Sequence, residues 1–125
     1  MVTSAQETDF IGSIEATAWK WMRFSGVALI PLVGIHLVLL EILVGVRRIN
    51  LDYVAMRWTF IGWRVYDFLL LALAFSHGMN GLRQVLGNFV GGGKARQVVN
   101  RGLLAVWAVF ILAGSIAIIG GVRYP

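Results

Sequence analysis

The sequence predicts an all-α integral membrane protein with three transmembrane helices, and three observations lead to this fold class. Hydrophobic residues make up 58% of the 125-residue chain and charged residues only 14%, which is too few to cover the surface of a soluble domain. The longest apolar runs have the length that crosses about 30 Å of hydrocarbon. Short basic or glycine-rich connections separate these runs. A chain of this length forms one domain at most.

The first and third spans are the clearest. Residues 24–46 form a long apolar run, and residues 102–122 form another that contains no charged residue. The second span, at about 58–86, is interrupted by charged residues near its start and by His77 near its end. Because these groups are unfavourable against lipid, we expect the neighbours of the second span to be mostly protein.

Residues 1–23 are predicted to form an N-terminal tail with an interfacial amphipathic helix, ahead of a three-helix anchor at 24–125. Apolar side chains recur in the tail at helical spacing, while Glu15 and Lys20 fall on other faces. A disordered tail is the alternative. The first 20 residues include acidic side chains and no apolar core, so we do not expect a signal peptide.

Charge and cysteine content narrow the range of functions. The net charge of +5 indicates basic loops near anionic lipid, and we expect no nucleic-acid partner. The chain has no cysteine, which excludes disulfides, thiolate metal sites and covalent c-type haem attachment.

Polar residues of the second span predict a face directed away from lipid. With 100° per residue, four polar residues at the end of this span and just beyond it share one stripe with a glycine: His77, Asn80, Gln84 and Asn88, with Gly81. Such a stripe is expected to face protein, water or a cofactor. Gly81 lies beside His77 and would let a flat, bulky group approach the backbone, with close helix packing as the alternative. At the other end of the span, the spacing of Arg64 and Asp67 predicts a local ion pair.

Two histidines lie inside predicted spans: His36, on the face that carries Ser25, and His77. Neutral imidazoles from neighbouring helices hold b-type haem in helical bundles, and hydrogen bonding between helices is the alternative. The helical rise is about 20 Å from Arg23 to His36 and about 9 Å from His77 to Arg83. If both arginines mark one interface, His36 lies roughly 10 Å deeper than His77. Each histidine would then serve a different haem, with the opposite ligand from another chain.

Two short motifs resemble those of a known family. The sequence RFSG at 23–26 resembles the R-x-S-G motif that opens the first span in membrane-anchor subunits of succinate dehydrogenase and fumarate reductase. The sequence HGMNGLR at 77–83 resembles the H-x-x-x-G-[LI]-R motif of their second helix. The resemblance covers roughly residues 18–90. That family has two kinds of anchor, C-type and D-type. Trp19, four residues before the first motif's arginine, and the first-helix His36 make the chain look more like the D-type.

The resemblance implies a membrane-anchor (cytochrome b) subunit of succinate:quinone oxidoreductase. The chain would form half of a haem-binding helical bundle with a second anchor subunit. Its other partners would be an iron–sulfur subunit and a flavoprotein, and the flavoprotein would carry out succinate oxidation. The chain would pass electrons from the iron–sulfur subunit to quinone. It would lie in the inner (cytoplasmic) membrane, with the N-terminus and the loop 88–101 on the cytoplasmic side.

The resemblance also implies roles for individual residues. His77 would be an axial ligand of a proximal haem b. His36 resembles the first-helix histidine of two-haem members and would be an axial ligand of a distal haem b. Four further residues would lie in the environment of the haem propionates or the quinone: Arg23, Ser25, Arg83 and Gly81. Anchoring to lipid phosphate is the alternative for the two arginines.

The chain departs from the family at positions that are familiar for quinone binding. Met22 stands where relatives often have histidine, and Trp19 stands where one-haem relatives have serine. Asn88 and Phe89 replace an Asp or Asp-Tyr at the end of the second helix. The competing function is a haem-free structural anchor, or another small helical membrane protein, whose histidines serve helix packing.

Overall fold

The chain is helical almost throughout. The computed structural model describes residues 4–121, with the side chains of residues 4, 5 and 7 left undescribed, and no strand occurs in this range. Four α-helices follow one another, with a π-helix and one 3₁₀ turn after the first: α1 Ser4–Leu37, π-helix Val38–Val44, 3₁₀ turn Val46–Arg48, α2 Leu51–Arg57, α3 Ile61–Phe89 and α4 Lys94–Gly120. The all-α prediction is confirmed for the described residues.

The N-terminal segment is part of the first long helix. A helix was predicted within residues 1–23, and its interfacial location stays a prediction. In the structure α1 runs through residue 24 without interruption. No glycine or proline lies between Gly12 and Gly26, so nothing in this stretch favours a break. Pro31 also lies inside α1. The 34 residues of α1 correspond to about 51 Å of helix, so part of it extends beyond a hydrocarbon layer of about 30 Å.

Two stretches are long and apolar enough to cross a membrane: Thr8–Val44 and Lys94–Gly120. They contain nearly all of the predicted first and third spans, 24–46 and 102–122, so a membrane protein with these two spans is confirmed. The predicted second span, 58–86, corresponds mainly to α3. Together α2 and α3 meet the same condition only as one broken span, bent by 110°, and a third crossing stays a prediction.

The bend between α2 and α3 is held by a buried ion pair. Arg57, only 8% exposed, pairs with Asp67, which also accepts a hydrogen bond of 2.8 Å from Trp58 Nε1. The predicted ion pair between Arg64 and Asp67 is therefore wrong. The bend places the Arg57 guanidinium in contact with the Asp67 carboxylate. Arg64 instead donates a hydrogen bond to the Trp58 carbonyl oxygen.

The long helices pack through α3, which contacts both α1 and α4. Gly114 marks the close approach of α4, since a Cβ atom there would clash with Leu71 Cδ2. The rings of Phe75 and Phe110 stack nearby, 5.3 Å apart between centroids. Among the side chains that the structure describes, only four are buried: Ser25, Ala55, Arg57 and Ile118. Most of the apolar surface is thus left for lipid or partner chains.

Replacing Gly114 with isoleucine should destabilise the packing of α4 on α3. The added branched side chain would have to displace Leu71, and overpacking of this kind costs about 1–3 kcal/mol. The matched control is Gly102→Ile on the same helix, where nothing lies within 4 Å of a Cβ position. Thermal unfolding in detergent micelles would measure both variants. Equal midpoints for the two would contradict the close approach at Gly114.

Candidate functional site

The two motifs meet in the structure through Ser25 and His77. Ser25 is 2% exposed, and its Oγ lies 2.9 Å from Nδ1 of His77. The same hydroxyl donates a hydrogen bond of 2.6 Å to the carbonyl oxygen of Trp21, one turn earlier on α1. A residue of RFSG on α1 is thereby joined to the first residue of HGMNGLR on α3.

Two glycines lie at the close approach of α1 and α3. A Cβ atom on Gly26 would lie 3.3 Å from Cε1 of His77, and one on Gly81 would lie 3.3 Å from Cε of Met22. Each helix therefore supplies a glycine against a side chain of the other. The approach of Met22 to Gly81 agrees with close helix packing, whereas no atom of the described residues lies within 4 Å of a Cβ position on Gly78. The role of Gly26 was missed in the sequence, although it directly follows Ser25 in RFSG.

The inner part of the predicted polar stripe faces α1. Asn80 Nδ2 donates to the Ala18 carbonyl oxygen at 3.1 Å, and Asn80 Oδ1 accepts from Arg83 Nε at 3.2 Å. Arg83 also donates to both carboxylate oxygens of Glu15, at 2.9 and 3.2 Å. Gln84 and Asn88, at the outer end of the stripe, are exposed. The inner polar residues of the stripe are thus satisfied by protein, and the neighbouring Arg83 is already paired with Glu15.

Arg23 and Arg83 do not share one environment. The Arg23 guanidinium lies over the Trp19 ring, 4.7 Å from the centroid, and the residue is exposed. Arg83 instead reaches Glu15, eight residues before Arg23 on α1. The two arginines therefore lie at different levels along the helix pair. The contacts of each histidine give its depth instead.

His36 lies beside Tyr66 at another level. Their rings stack with centroids 6.4 Å apart and an interplanar angle of 19°. The Tyr66 hydroxyl donates to the carbonyl oxygen of Leu32, one turn before His36. Within the part of the chain that the structure describes, Nδ1 of His36 is buried and has no hydrogen-bond partner. Its ring is thus held by stacking rather than by a hydrogen bond at Nδ1.

The two histidines are far apart along the helix pair. His77 lies at the level of Ser25 and His36 at the level of Tyr66. Each of these intervals, 25–36 on α1 and 66–77 on α3, is eleven residues, or about 16 Å of helical rise. This separation exceeds the roughly 10 Å expected if both arginines marked one interface. The reason is that Arg83 lies at the level of Glu15, closer to the start of α1 than Arg23. His36 and His77 cannot contact one metal ion.

An open cleft of about 480 Å³ lies between α1, α3 and α4. Its walls are mostly apolar, with Trp21 and Trp107 on opposite helices and Asn80 and Arg83 among the polar groups. Trp107 Nε1 donates to the hydroxyl of Ser76 at 3.0 Å, which joins α4 to α3 beside the cleft. His77 is not among the residues that line it.

Comparison with known proteins identifies one family. A family model described as the succinate dehydrogenase/fumarate reductase transmembrane subunit matches residues 7–118. The match includes both histidines and all three of the long helices, except for their outermost residues. No curated protein matches the chain significantly.

Replacing Gly26 with alanine should displace the His77 ring. Alanine in place of a helical glycine normally stabilises by about 0.5–1 kcal/mol, and Gly12→Ala, with nothing within 4 Å of its Cβ position, should show this gain. Gly26→Ala should lose part or all of it, because its methyl would press on Cε1 of His77. With only two histidines in the chain, ring NMR signals in micelles would report the displacement. Unmoved His77 signals together with the full gain in stability would refute the contact.

Proposed function

Because the chain belongs to the succinate dehydrogenase/fumarate reductase transmembrane subunit family, we propose that it is a membrane-anchor subunit of a succinate:quinone oxidoreductase. In this role it holds haem b together with a second anchor subunit. It passes electrons from an iron–sulfur subunit to quinone, while a flavoprotein subunit oxidises succinate. The reaction at the flavin needs no residue of this chain.

The observation that carries the haem proposal is the environment of His77. Its Nδ1 is engaged by the buried Ser25, which leaves Nε2 as the ring atom for an iron. Metal-bound histidines generally have their other nitrogen held in this way. Gly26 supplies the room that the ring needs on the α1 side. The residues present therefore fit an axial ligand, and a b-type haem held there would take up and release one electron at its iron.

His36 is proposed as the axial ligand of a second, distal haem. The separation of about 16 Å along the helices means that one haem iron cannot use both histidines of this chain. An imidazole nitrogen that is buried without a hydrogen-bond partner among the described residues also costs free energy. A ligand role for His36 makes use of this half-buried ring, with Tyr66 stacked on it. In both haems the opposite ligand comes from the second anchor subunit.

The two arginines are assigned different roles. Arg23 is exposed and not ion-paired among the described residues, so it is the better candidate for a haem propionate or a quinone head group. Arg83 is already bound by Glu15 and instead joins the start of α1 to the end of α3. Ser25 and Gly81 lie at the contact of α1 and α3, and they shape the site without direct contact with a propionate.

The proposed orientation places the N-terminus on the cytoplasmic side of the inner membrane. Glu15 contacts Arg83 near the end of α3, so the first half of α1 and the connection from α3 to α4 lie at the same end of the molecule. This end carries Lys20, Lys94, Arg96 and Arg101 among its cations. The opposite end carries Arg47, Arg48, Arg57 and Arg64, so the count of basic residues does not favour either side of the membrane. The cytoplasmic placement follows the family resemblance, with the iron–sulfur subunit docked at this end.

A haem-free anchor is the second candidate function. The hydrogen bond between Ser25 and His77 is also a contact that would suit helix packing alone. A reduced-minus-oxidised spectrum of the purified complex separates the two functions. A b-type signal supports the haem proposal, and its absence from the intact complex would leave the structural anchor.

Replacing His77 with alanine should abolish or severely perturb one b-type haem signal. Succinate oxidation with a soluble dye should continue, because the flavin chemistry lies on another subunit, while electron delivery to quinone falls. Difference spectra and paired dye and quinone assays on the purified complex would measure this. Loss of the dye-linked activity in an intact complex would contradict the proposed division of labour.

Replacing His36 with leucine should lower the haem content from two per complex to one, with the proximal spectrum retained. Leucine has a similar volume and keeps the apolar contact with Tyr66, but it offers no nitrogen. Pyridine-haemochrome quantification against protein would measure the ratio. A wild-type complex with a single haem that His36→Leu leaves unaffected would rule out the distal site.

A further inference from the structure

Ser25 has one hydroxyl proton and three polar neighbours. Its Oγ lies 2.6 Å from the Trp21 carbonyl oxygen, 3.3 Å from the Met22 carbonyl oxygen and 2.9 Å from Nδ1 of His77. The two carbonyl oxygens carry no proton, so any hydrogen bond to them must be donated by Ser25. The 2.6 Å distance to the Trp21 carbonyl oxygen is short for an O–H···O bond. It indicates that the hydroxyl group donates its proton to this hydrogen bond.

The contact with His77 then needs a proton from the imidazole. Once the hydroxyl proton points at Trp21, only lone pairs of Oγ are left for His77. If Nδ1 were deprotonated, its lone pair would face a lone pair of Ser25 Oγ at 2.9 Å, and the two would repel each other. Ser25 is 2% exposed, and a mismatch in such a dry position is costly. The contact is favourable only if Nδ1 carries the proton and donates it.

We infer that Ser25 is a positioning residue that sets the tautomer of His77, with the proton on Nδ1 and the lone pair on Nε2. This differs from a role in contacting haem propionates or quinone. The assignment of the tautomer stands on the hydrogen bonds alone. Its consequence, that Nε2 is held ready as an iron ligand, rests on the proposed haem function.

The other histidine shows that this arrangement is specific to His77. Nδ1 of His36 is buried and has no partner among the described residues, so no serine there takes the place that Ser25 has at His77. The chain thus fixes the tautomer of one histidine through a hydroxyl and orients the other through the Tyr66 ring. The two sites should therefore respond differently to loss of a serine.

The test compares three serine variants. Ser25→Ala removes the acceptor, and Ser25→Thr keeps a hydroxyl that can bond the same carbonyl. The matched control is Ser115→Ala on α4, because Ser115 donates a bond of 2.6 Å to the carbonyl one turn earlier but has no histidine beside it.

The first measurement is the tautomer itself, by ¹⁵N NMR of the histidine rings in the full chain in lipid bilayers without haem. Wild type, Ser25→Thr and Ser115→Ala should show His77 protonated on Nδ1. Ser25→Ala should shift His77 towards protonation on Nε2. Protonation of wild-type His77 on Nε2, or an unchanged tautomer in Ser25→Ala, would overturn the inference whatever the haem content.

The second measurement is made on the complete complex. Ser25→Ala should weaken retention of the proximal haem about 10- to 100-fold and raise its reduction potential, because the ligand loses electron-donating strength. Ser25→Thr should restore both values, and Ser115→Ala should change neither. A proximal haem of unchanged potential in Ser25→Ala would refute the positioning role. The expected tautomer in a complex that holds no haem would instead refute the proposed function and leave the tautomer assignment standing.

Discussion

The hydrogen bond between Ser25 and His77 is the contact on which the arrangement of the candidate site depends. It is made by the most buried side chain of the described residues and joins two antiparallel helices that would otherwise meet mainly through apolar contacts. Gly26 leaves room for the imidazole, since a Cβ atom there would press on His77, and Gly81 allows a second close approach of the two helices at Met22. Small residues and polar bonds are the usual means by which membrane helices associate, and here they also position an imidazole.

Ionic contacts join α3 to its neighbours towards both of its ends. At one end Glu15 of α1 binds Arg83 of α3, and at the other Arg57 of α2 binds Asp67 of α3. These pairs keep charges satisfied in a chain where unpaired charges would be expensive near hydrocarbon. The second pair is largely shielded from solvent, so loss of either partner would leave an uncompensated charge. Within the described residues, His36 Nδ1 and Arg57 Nε are the buried side-chain atoms that have no hydrogen-bond partner.

The thin packing of the chain agrees with a protein that is completed by partners. Few of its described side chains are buried, and α3 alone contacts both of the other long helices extensively. Much of the apolar surface must meet lipid or protein. The proposed second anchor would cover part of it and supply the opposite ligands for haem irons that this chain cannot pair by itself.

Sequence alone determined the helical membrane class, the first and third spans and the family, because apolar run length and two short motifs depend only on local order along the chain. The spacing of apolar and polar residues did not predict that α1 runs without a break from the N-terminal segment into the first span. It also did not predict the 110° bend after α2. The Arg64–Asp67 pair was predicted from helical spacing, but the bend brought Arg57 closer to the carboxylate. Only the tertiary structure placed Ser25 and Gly26 against His77, because a contact across 52 positions of sequence is created by helix packing and leaves no periodic signal.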